Sequence, residues 1–558
     1  MALPYLCARF ENRPQIHLSH KSDTKMKKTT LFFLLASMAS VEASAGGYLT
    51  NTNQNAAFGR NLSQEAMIDI MATYANPAGV GFLAPGWYLA LSNQSAFQTR
   101  TIESSFGNDL FRNGKVNGID NNSGMKTYKG TATAPLIPSF DVAYVRNRWS
   151  LALHFAISGG GGKCEFDDGL GSFESQVAIL PVLANALKPG AVAGYSFDTY
   201  MKGRQYYFGT QLTGSYKVTD HLNVAVGLRM VNASCAYEGY VKNIGLQVNT
   251  PQGVVPMSAA DFLRQGGMGE MAAMVADRVI DCTQSGTGFT PVIGIDWRIN
   301  DQWNVAAKYE FQTKLTLKNS TASVTNADGT TSQLNAGLSE YNDGAEIRAD
   351  IPAILTLGVQ YSPVRQARIN VGGHLFFDEQ ATQHANRHEK LNGPGWEITA
   401  GAEYDINKLL TVSAGWQNTN YGLGKNSEFI SDLSFVTNSN SVGIGARLHL
   451  SKKVDLDVSY FKTLYSHYER TQADYNYVKA GLLAKVNALT EQMQAAVPQL
   501  QAAAGAGNAE AAAQLQALQQ KGAALAPMAA GLNSLNTSGY DNFTRTNDVI
   551  GVGVSVKF

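Results

Sequence analysis

The chain has 558 residues with 44 basic and 44 acidic side chains, so its formal net charge is zero and only 16% of its residues are charged. It offers no basic field for a nucleic acid. A 44% hydrophobic fraction with 54 Gly, 24 Tyr and 24 Phe, at a mean hydropathy of -0.15, suits strands carrying one apolar and one polar face.

The first element reads as a leader. Met26-Lys27-Lys28 supplies the charged start, Leu31 to Met38 a short apolar core, and Ala43-Ser44-Ala45 the small residues of a cleavage site. Residues 1–25 are then an extension ahead of a misplaced start, 26–45 a signal peptide, and the mature chain begins at Gly46. Downstream there is no run of ~20 apolar residues, so no transmembrane helix is expected. A membrane role must come from a barrel.

Between Gly46 and Pro85 the sequence shows neither strand alternation nor a long helix. From Gly86 onward it alternates with a period of two. Trp149, Leu151, Leu153, Phe155 and Ile157 face away from Ser150, Ala152, His154 and Ala156; Leu222, Val224, Val226, Leu228 and Met230 face away from Asn223, Ala225, Gly227 and Arg229. Trp396, Ile398, Ala400, Ala402 and Tyr404 continue the series against Glu397, Thr399 and Glu403, and the chain ends with Ile550, Val552, Val554, Val556 and Phe558 on one face. Tight polar turns such as Arg146-Asn147-Arg148, Thr219-Asp220-His221 and Asn300-Asp301-Gln302 alternate with long connections over 159–202, 242–286 and 319–348. Short periplasmic turns and long external loops mark an outer-membrane barrel.

The expected fold is therefore all-β, a transmembrane antiparallel barrel over 86–558. Its strands number about fourteen. They start near Gly86, Thr131, Arg148, Arg204, His221, Gly288, Gln302, Arg348, Arg368, Trp396, Leu409, Ser439, Lys453 and Asn542. Two helical insertions interrupt it on the external side. Pro256 to Ile280 carries Phe262, Leu263, Met268, Met271, Met274 and Val275, which either pack on neighbouring loops or form a ligand-capturing groove. The Ala- and Gln-rich stretch 479–535 reads as a helical hairpin in the last external loop, protruding from the barrel mouth.

Three cysteines follow the leader, Cys164, Cys235 and Cys282. Their spacing fits no zinc or haem pattern, and the compartment permits disulfides. Cys235 and Cys282 lie near the external ends of the expected fifth and sixth strands and are the candidate pair. His154, His374 and His449 are scattered over separate strands and read as lumenal hydrogen-bonding residues. No enzyme site, metal or cofactor is expected.

Gly47-Tyr48-Leu49, the run Phe58-Gly59-Arg60-Asn61-Leu62-Ser63-Gln64-Glu65-Ala66 and the turn Asn76-Pro77-Ala78 together resemble the N-terminal hatch of the FadL family of outer-membrane transporters. The resemblance extends through the strand order, Gly159, Gly160, Gly161 and Gly162 after the third strand, and the terminal Phe558. It implies a hatch over 46–85 that plugs the barrel, with Asn76, Pro77 and Ala78 as its turn. It further implies a ligand pocket reached by Tyr48, Leu49 and Phe58, and a lateral opening at Gly159 to Gly162. Fatty-acid members place a basic side chain on the upper fifth strand, whereas Val231 to Cys235 has none here; Arg229 or Lys390 is the candidate substitute, against the commoner arrangement of a lumenal Arg paired with Glu or Asp. The expected function is passive uptake of small hydrophobic molecules such as fatty acids, aromatic hydrocarbons or other lipids across the bacterial outer membrane. Expected partners are that substrate, outer-membrane lipid and lipopolysaccharide, and the barrel assembly machinery through Phe558, with the barrel a monomer. The rival readings are a general porin and a surface adhesin barrel.

Overall fold

Alternating side chains become wall strands nearly everywhere the sequence shows them. A computed structural model describes residues 49–558; the leader, the 1–25 extension and Tyr48 lie outside the described residues. Fourteen strands make the wall: β1 (Gly86–Phe106), β2 (Met125–Arg146), β3 (Trp149–Phe166), β4 (Val192–Lys217), β5 (Leu222–Thr250), β6 (Arg278–Arg298) and β7 (Trp303–Glu310), then β8 (Ile354–Val364), β9 (Ala367–Phe376), β10 (Gly395–Asp405), β11 (Leu410–Asn420), β12 (Ser439–His449), β13 (Val454–Tyr465) and β14 (Gly539–Lys557). Each pairs antiparallel with the next, and β1 pairs with both β2 and β14, which closes the ring. Two-residue turns such as Asn147-Arg148, with Asn147 at φ +46°, bend the chain tightly at one end.

The faces are inverted relative to a soluble protein. All six tryptophans, Trp87, Trp149, Trp297, Trp303, Trp396 and Trp416, are exposed on the outside, where Trp303 stacks on Tyr361 with ring centroids 4.4 Å apart. Charged and polar residues such as Asp141, Arg229, Asp296, Glu310, Glu403 and Asp457 are buried on the inside.

Three strands begin earlier than the alternation indicates: β2 at Met125 instead of Thr131, β4 at Val192 instead of Arg204, and β6 at Arg278 instead of Gly288. Their external ends bury large inward residues such as Tyr128, Tyr195, Phe197, Met201 and Ile280 under loops, so the apolar signal there switches from the lipid face to the inner face. The eighth strand begins late, at Ile354, because Pro352 has no N–H for a ladder; the segment Glu346–Arg348 instead pairs with Thr316–Lys318.

The loops carry helices α2 (Gly171–Ala178), α3 (Leu180–Leu187) and α4 (Ala259–Gln265), the last followed by a 3-10 stretch over Gly269–Val275. The Ala- and Gln-rich insert is a helical hairpin of α5 (Val478–Gly505) and α6 (Ala509–Ser534), and α5 runs through Pro498 without ending. Its roots pack on the barrel through buried Leu482, Val486, Met528 and Leu532, while its tip around 503–510 is mostly exposed.

Residues 49–85 fill the lumen as a hatch containing α1 (Ala56–Arg60), whose Phe58 N–H donates to the capping Asn55 Oδ1 at 3.2 Å. The wall makes room for it with inward glycines. A Cβ at Gly415 would lie 2.5 Å from the Leu62 nitrogen, and one at Gly445 would lie 2.5 Å from the Arg60 Cβ. Gly415→Leu should therefore lift the hatch and raise ion conductance in planar bilayers, whereas Gly214→Leu, where a Cβ meets nothing within 4 Å, should leave it unchanged. Equal conductance of the folded Gly415 variant and the parent would contradict a lumen sealed by this seat.

Candidate functional site

Two cavities meet one apolar column. The outer one is a chamber beneath the external helices, enclosing about 1220 Å³ of non-atom space, counting its open mouth. Phe173, Val177, Leu183 and Leu187 of α2 and α3 form one wall, Phe262, Met268, Met271 and Met274 a second, and Leu482, Val486, Leu489 and Met528 of the hairpin the roof. Thioether side chains adapt to ligands of varied shape. The helices are pinned by buried polar contacts. Glu174 of α2 pairs with Lys126 and accepts from Tyr128 at 2.7 Å and Tyr195 at 2.6 Å. Below the hairpin, Tyr475 and Ser104 each donate to Asp541 at 2.7 Å, and Arg470 pairs with the same carboxylate at 2.5 Å.

The inner cavity lies against a break in the wall. β2 and β3 pair at Thr131–Glu165 and resume at Phe140–Phe155, with no ladder between. The cause is legible in both strands. Pro135 and Pro138 supply no N–H, and opposite them Gly160 and Gly162 adopt φ of +87° and +69° while the β3–β4 register shifts twice between Ile157 and Gly162. The abandoned edge of β3 is taken up by the hatch: the Asn51 N–H donates to the Ser158 carbonyl at 3.0 Å and the Asn51 amide side chain to Ile157 at 3.3 Å. This cavity is lined in part by apolar Ala96, Ala134, Ile137, Phe461 and Val549, with Gly160 and Gly162 at the break, and in part by polar side chains that include Asn51, Gln94, Gln98, Lys163, Arg545 and Asn547.

Below these cavities, hatch and wall are tied by buried ions. Arg60 pairs with Glu403 and, at 2.5 Å, with Asp457; Arg447 joins Asp457 at 2.9 Å and also pairs with Asp69 of the hatch. Lys308 donates to the Tyr74 carbonyl at 2.8 Å and lies 4.0 Å above its ring. Such pairs cost desolvation but fix one geometry, since breaking any of them leaves a buried charge.

The residues expected from sequence fall into distinct places. Asn76, Pro77 and Ala78 form a turn docked on the wall: the Asn76 amide donates to the Met67 carbonyl at 3.1 Å and to Asp296, the Ala78 carbonyl accepts from Asn223, and Pro77 packs over Gly294. Leu49 is buried in the apolar column, its carbonyl where a side chain on Gly159 would fall. Phe58 packs edge-on against Phe461, 6.0 Å between centroids, beside the inner cavity. Tyr48 lies outside the described residues. Gly159, Gly160, Gly161 and Gly162 run through β3 at the break.

Three expectations are corrected. Arg229 is not a ligand cation; it is buried against Glu310 at 2.6 Å and hydrogen-bonded to Gln211 at 2.7 Å, because a charge on the inner face of a filled lumen needs a counter-charge. Lys390 is also neutralised, by Glu428 at 2.9 Å on the surface, and neither residue lines a cavity. Cys235 and Cys282 form no disulfide: Cys235 stands opposite Gln284 and Cys282 opposite Tyr237, a diagonal placement at which Cα atoms of a sheet stand about 7–8 Å apart, too far to bridge without backbone movement. Each lumenal histidine sits beside a carboxylate, His154 by Asp141 at 2.7 Å, His374 by Glu397 at 3.1 Å and His449 by Asp455 at 2.7 Å. Sequence reasoning passed over Pro135 and Pro138, and it read α2–α3 as plain loop although Phe173, Val177, Leu180, Ala184 and Leu187 recur at helical spacing.

A family model described as outer membrane protein transport protein (OMPP1/FadL/TodX) matches residues 203–521, more than half of the chain. No curated protein matches the sequence. Among solved structures, a Pseudomonas aeruginosa FadL homologue aligns over 92% of this chain and 100% of its own, at 13% identity and a TM-score of 0.56. The Pseudomonas putida toluene transporter TodX aligns over the same shares at 13% identity and a TM-score of 0.50. At such identity the two structures establish the shared fold alone.

Arg229→Ala should destabilise the folded barrel by about 3–5 kcal/mol, the cost of orphaning a buried partner, while leaving affinity for an apolar ligand unchanged; urea unfolding and a ligand titration on one preparation check both. Alkylation of denatured, unreduced protein should label Cys164, Cys235 and Cys282, and a peptide linking Cys235 to Cys282 would contradict the register.

Proposed function

The chain belongs to the OMPP1/FadL/TodX family of outer membrane transport proteins, and from that membership we propose that it is a passive channel. It takes small hydrophobic molecules from outside into the chamber and releases them sideways through the wall between β2 and β3. The observation that carries this reading is the unpaired stretch of wall beside a partly apolar cavity in a lumen otherwise blocked by a charged, pinned hatch. An apolar solute gains about 25 cal/mol for each Å² it buries. It has no comparable gain along the ionic seat of the hatch.

Between chamber and break runs one continuous cluster of buried apolar side chains, including Ile102, Phe166, Tyr207 and Leu49. Transit needs only rotamer changes in this column, since Leu49 and Tyr207 both border Gly159 at the break. No energy source enters the scheme: the solute moves down its gradient from one apolar site to the next and into the lipid. The same reading takes residues 46–85 as the hatch of the exported chain, 26–45 as its removed leader, and Phe558, 65% exposed at the end of β14, as the contact for barrel assembly. A general porin is disfavoured because nearly every residue from Thr50 to Gly81 is buried against the wall.

Ala134→Trp places a bulky side chain in the inner cavity at the break. Uptake of a labelled hydrocarbon by cells should fall about tenfold, equivalent to ~1.4 kcal/mol on the exit barrier, while binding of the same hydrocarbon to purified protein persists. Unchanged uptake by a correctly inserted variant would mean that the solute leaves by another route.

A further inference from the structure

Above the break, the outer face of the wall carries two rows of charge that differ in kind. In the upper row Glu165 of β3, Lys202 of β4 and Glu238 of β5 stand opposite one another, so the signs alternate, and Lys202 pairs with Glu238 at 2.9 Å. In the lower row, nearer the membrane, Lys163 of β3 stands directly opposite Arg204 of β4, and Arg204 faces Ala236 of β5. Like charges so placed repel. Lys163 reaches along its own strand to Glu165 at 2.8 Å. Among the described residues no carboxylate or carbonyl reaches Arg204; its guanidinium carbon lies 5.9 Å from the Tyr206 ring centroid, and its Nε is buried without a hydrogen bond.

The neighbours fix the height of this pair. Tyr206 and Phe208 follow Arg204 on the outer face, alternating with buried Gln205 and Tyr207 inside, and Phe208 stacks on Phe155 with ring centroids 6.3 Å apart. Such aromatic girdles mark the membrane interface, so the two cations stand at head-group level on the external side. They are also the first outward-facing pair above the shifted stretch from Gly159 to Gly162, and Lys163 and Tyr206 both border the inner cavity.

We propose that Arg204 and Lys163 bind the phosphorylated glucosamine head of an outer-leaflet glycolipid, lipid A, on the outside of the wall, with its acyl chains laid over the β2–β3 break. The assignment concerns the outer face and holds whichever way a solute leaves the lumen. A phosphate monoester fits because it offers acceptor oxygens to a guanidinium fork and an ammonium at once, and it neutralises the one cation of the two rows that lacks a carboxylate. A lipid fits because the anion is held directly above an apolar surface: chains descending from it meet Tyr206, Phe208 and Leu136, the last exposed between Pro135 and Pro138 of β2. A zwitterionic head fits poorly, since it brings its own ammonium to a site whose excess charge is already positive. The upper row compensates itself and takes no part.

The test is native mass spectrometry of the purified protein in detergent, titrated with bis-phosphorylated lipid A, with the same lipid stripped of its phosphates, and with phosphatidylethanolamine. The parent should bind the bis-phosphorylated form about tenfold more tightly than either of the others, the scale of one charge-assisted hydrogen bond. Arg204→Gln should lose that preference and Arg204→Lys should retain part of it. Lys462→Gln, which removes an outer cation of β13 already held by Asp548 at 3.0 Å, should keep it in full. Inorganic phosphate in large excess should leave the lipid bound; complete displacement would make this a site for free phosphate and overturn the lipid. Equal affinity of the parent for lipid A with and without its phosphates, or an undiminished preference in the double variant Arg204→Gln, Lys163→Gln, overturns the assignment outright.

Discussion

The hatch must be held inside a ring too wide to fill with its own side chains, and the buried ion lattice of Arg60, Glu403, Asp457, Arg447 and Asp69 does the holding. A barrel of about eight strands packs its interior with side chains, whereas one of about sixteen leaves a water channel. The fourteen-strand ring seen here would leak without an insert. Inward glycines let the hatch backbone approach the wall, and the ions then fix its position, because each charge is out of water and stays compensated only while its partner is in place. With the axis sealed, the path proposed for an apolar solute runs through the wall.

The break in the wall is a local failure of the sheet with identifiable causes on both strands. Prolines in β2 withhold donors, positive-φ glycines in β3 turn the edge away, and Asn51 of the hatch satisfies the carbonyls of Ile157 and Ser158 that β2 leaves behind. The hatch thus both closes the lumen and finishes the edge of the opening. Buried apolar side chains lead from there to the external chamber, beside a polar axis held by ion pairs.

Much of this was legible in the sequence. Period-two alternation, turn asymmetry and the terminal Phe558 sufficed for the barrel, since a lipid-facing residue must be apolar whatever its neighbours do. The helical hairpin was legible from its Ala and Gln content. The external ends of β2, β4 and β6 were not, because above the membrane the outer face no longer needs to be apolar and the inner face becomes a core; Tyr195 and Tyr237 look the same in sequence whichever way they point. Arg229 stayed open for a related reason: a lumenal arginine is a ligand cation or half of an ion pair depending on Glu310, which lies a strand pair away.

The central claim is that hydrophobic solutes travel beside the hatch and not through it. A structure of the protein soaked with a brominated alkane, read by anomalous scattering, tests this most directly. The account predicts bromine in the chamber between Met271 and Val486 and again beside Ile137 and Phe461 at the β2–β3 break. Bromine beneath the hatch, along Tyr74 and Lys308 toward the turn of Asn76 to Ala78, would contradict it.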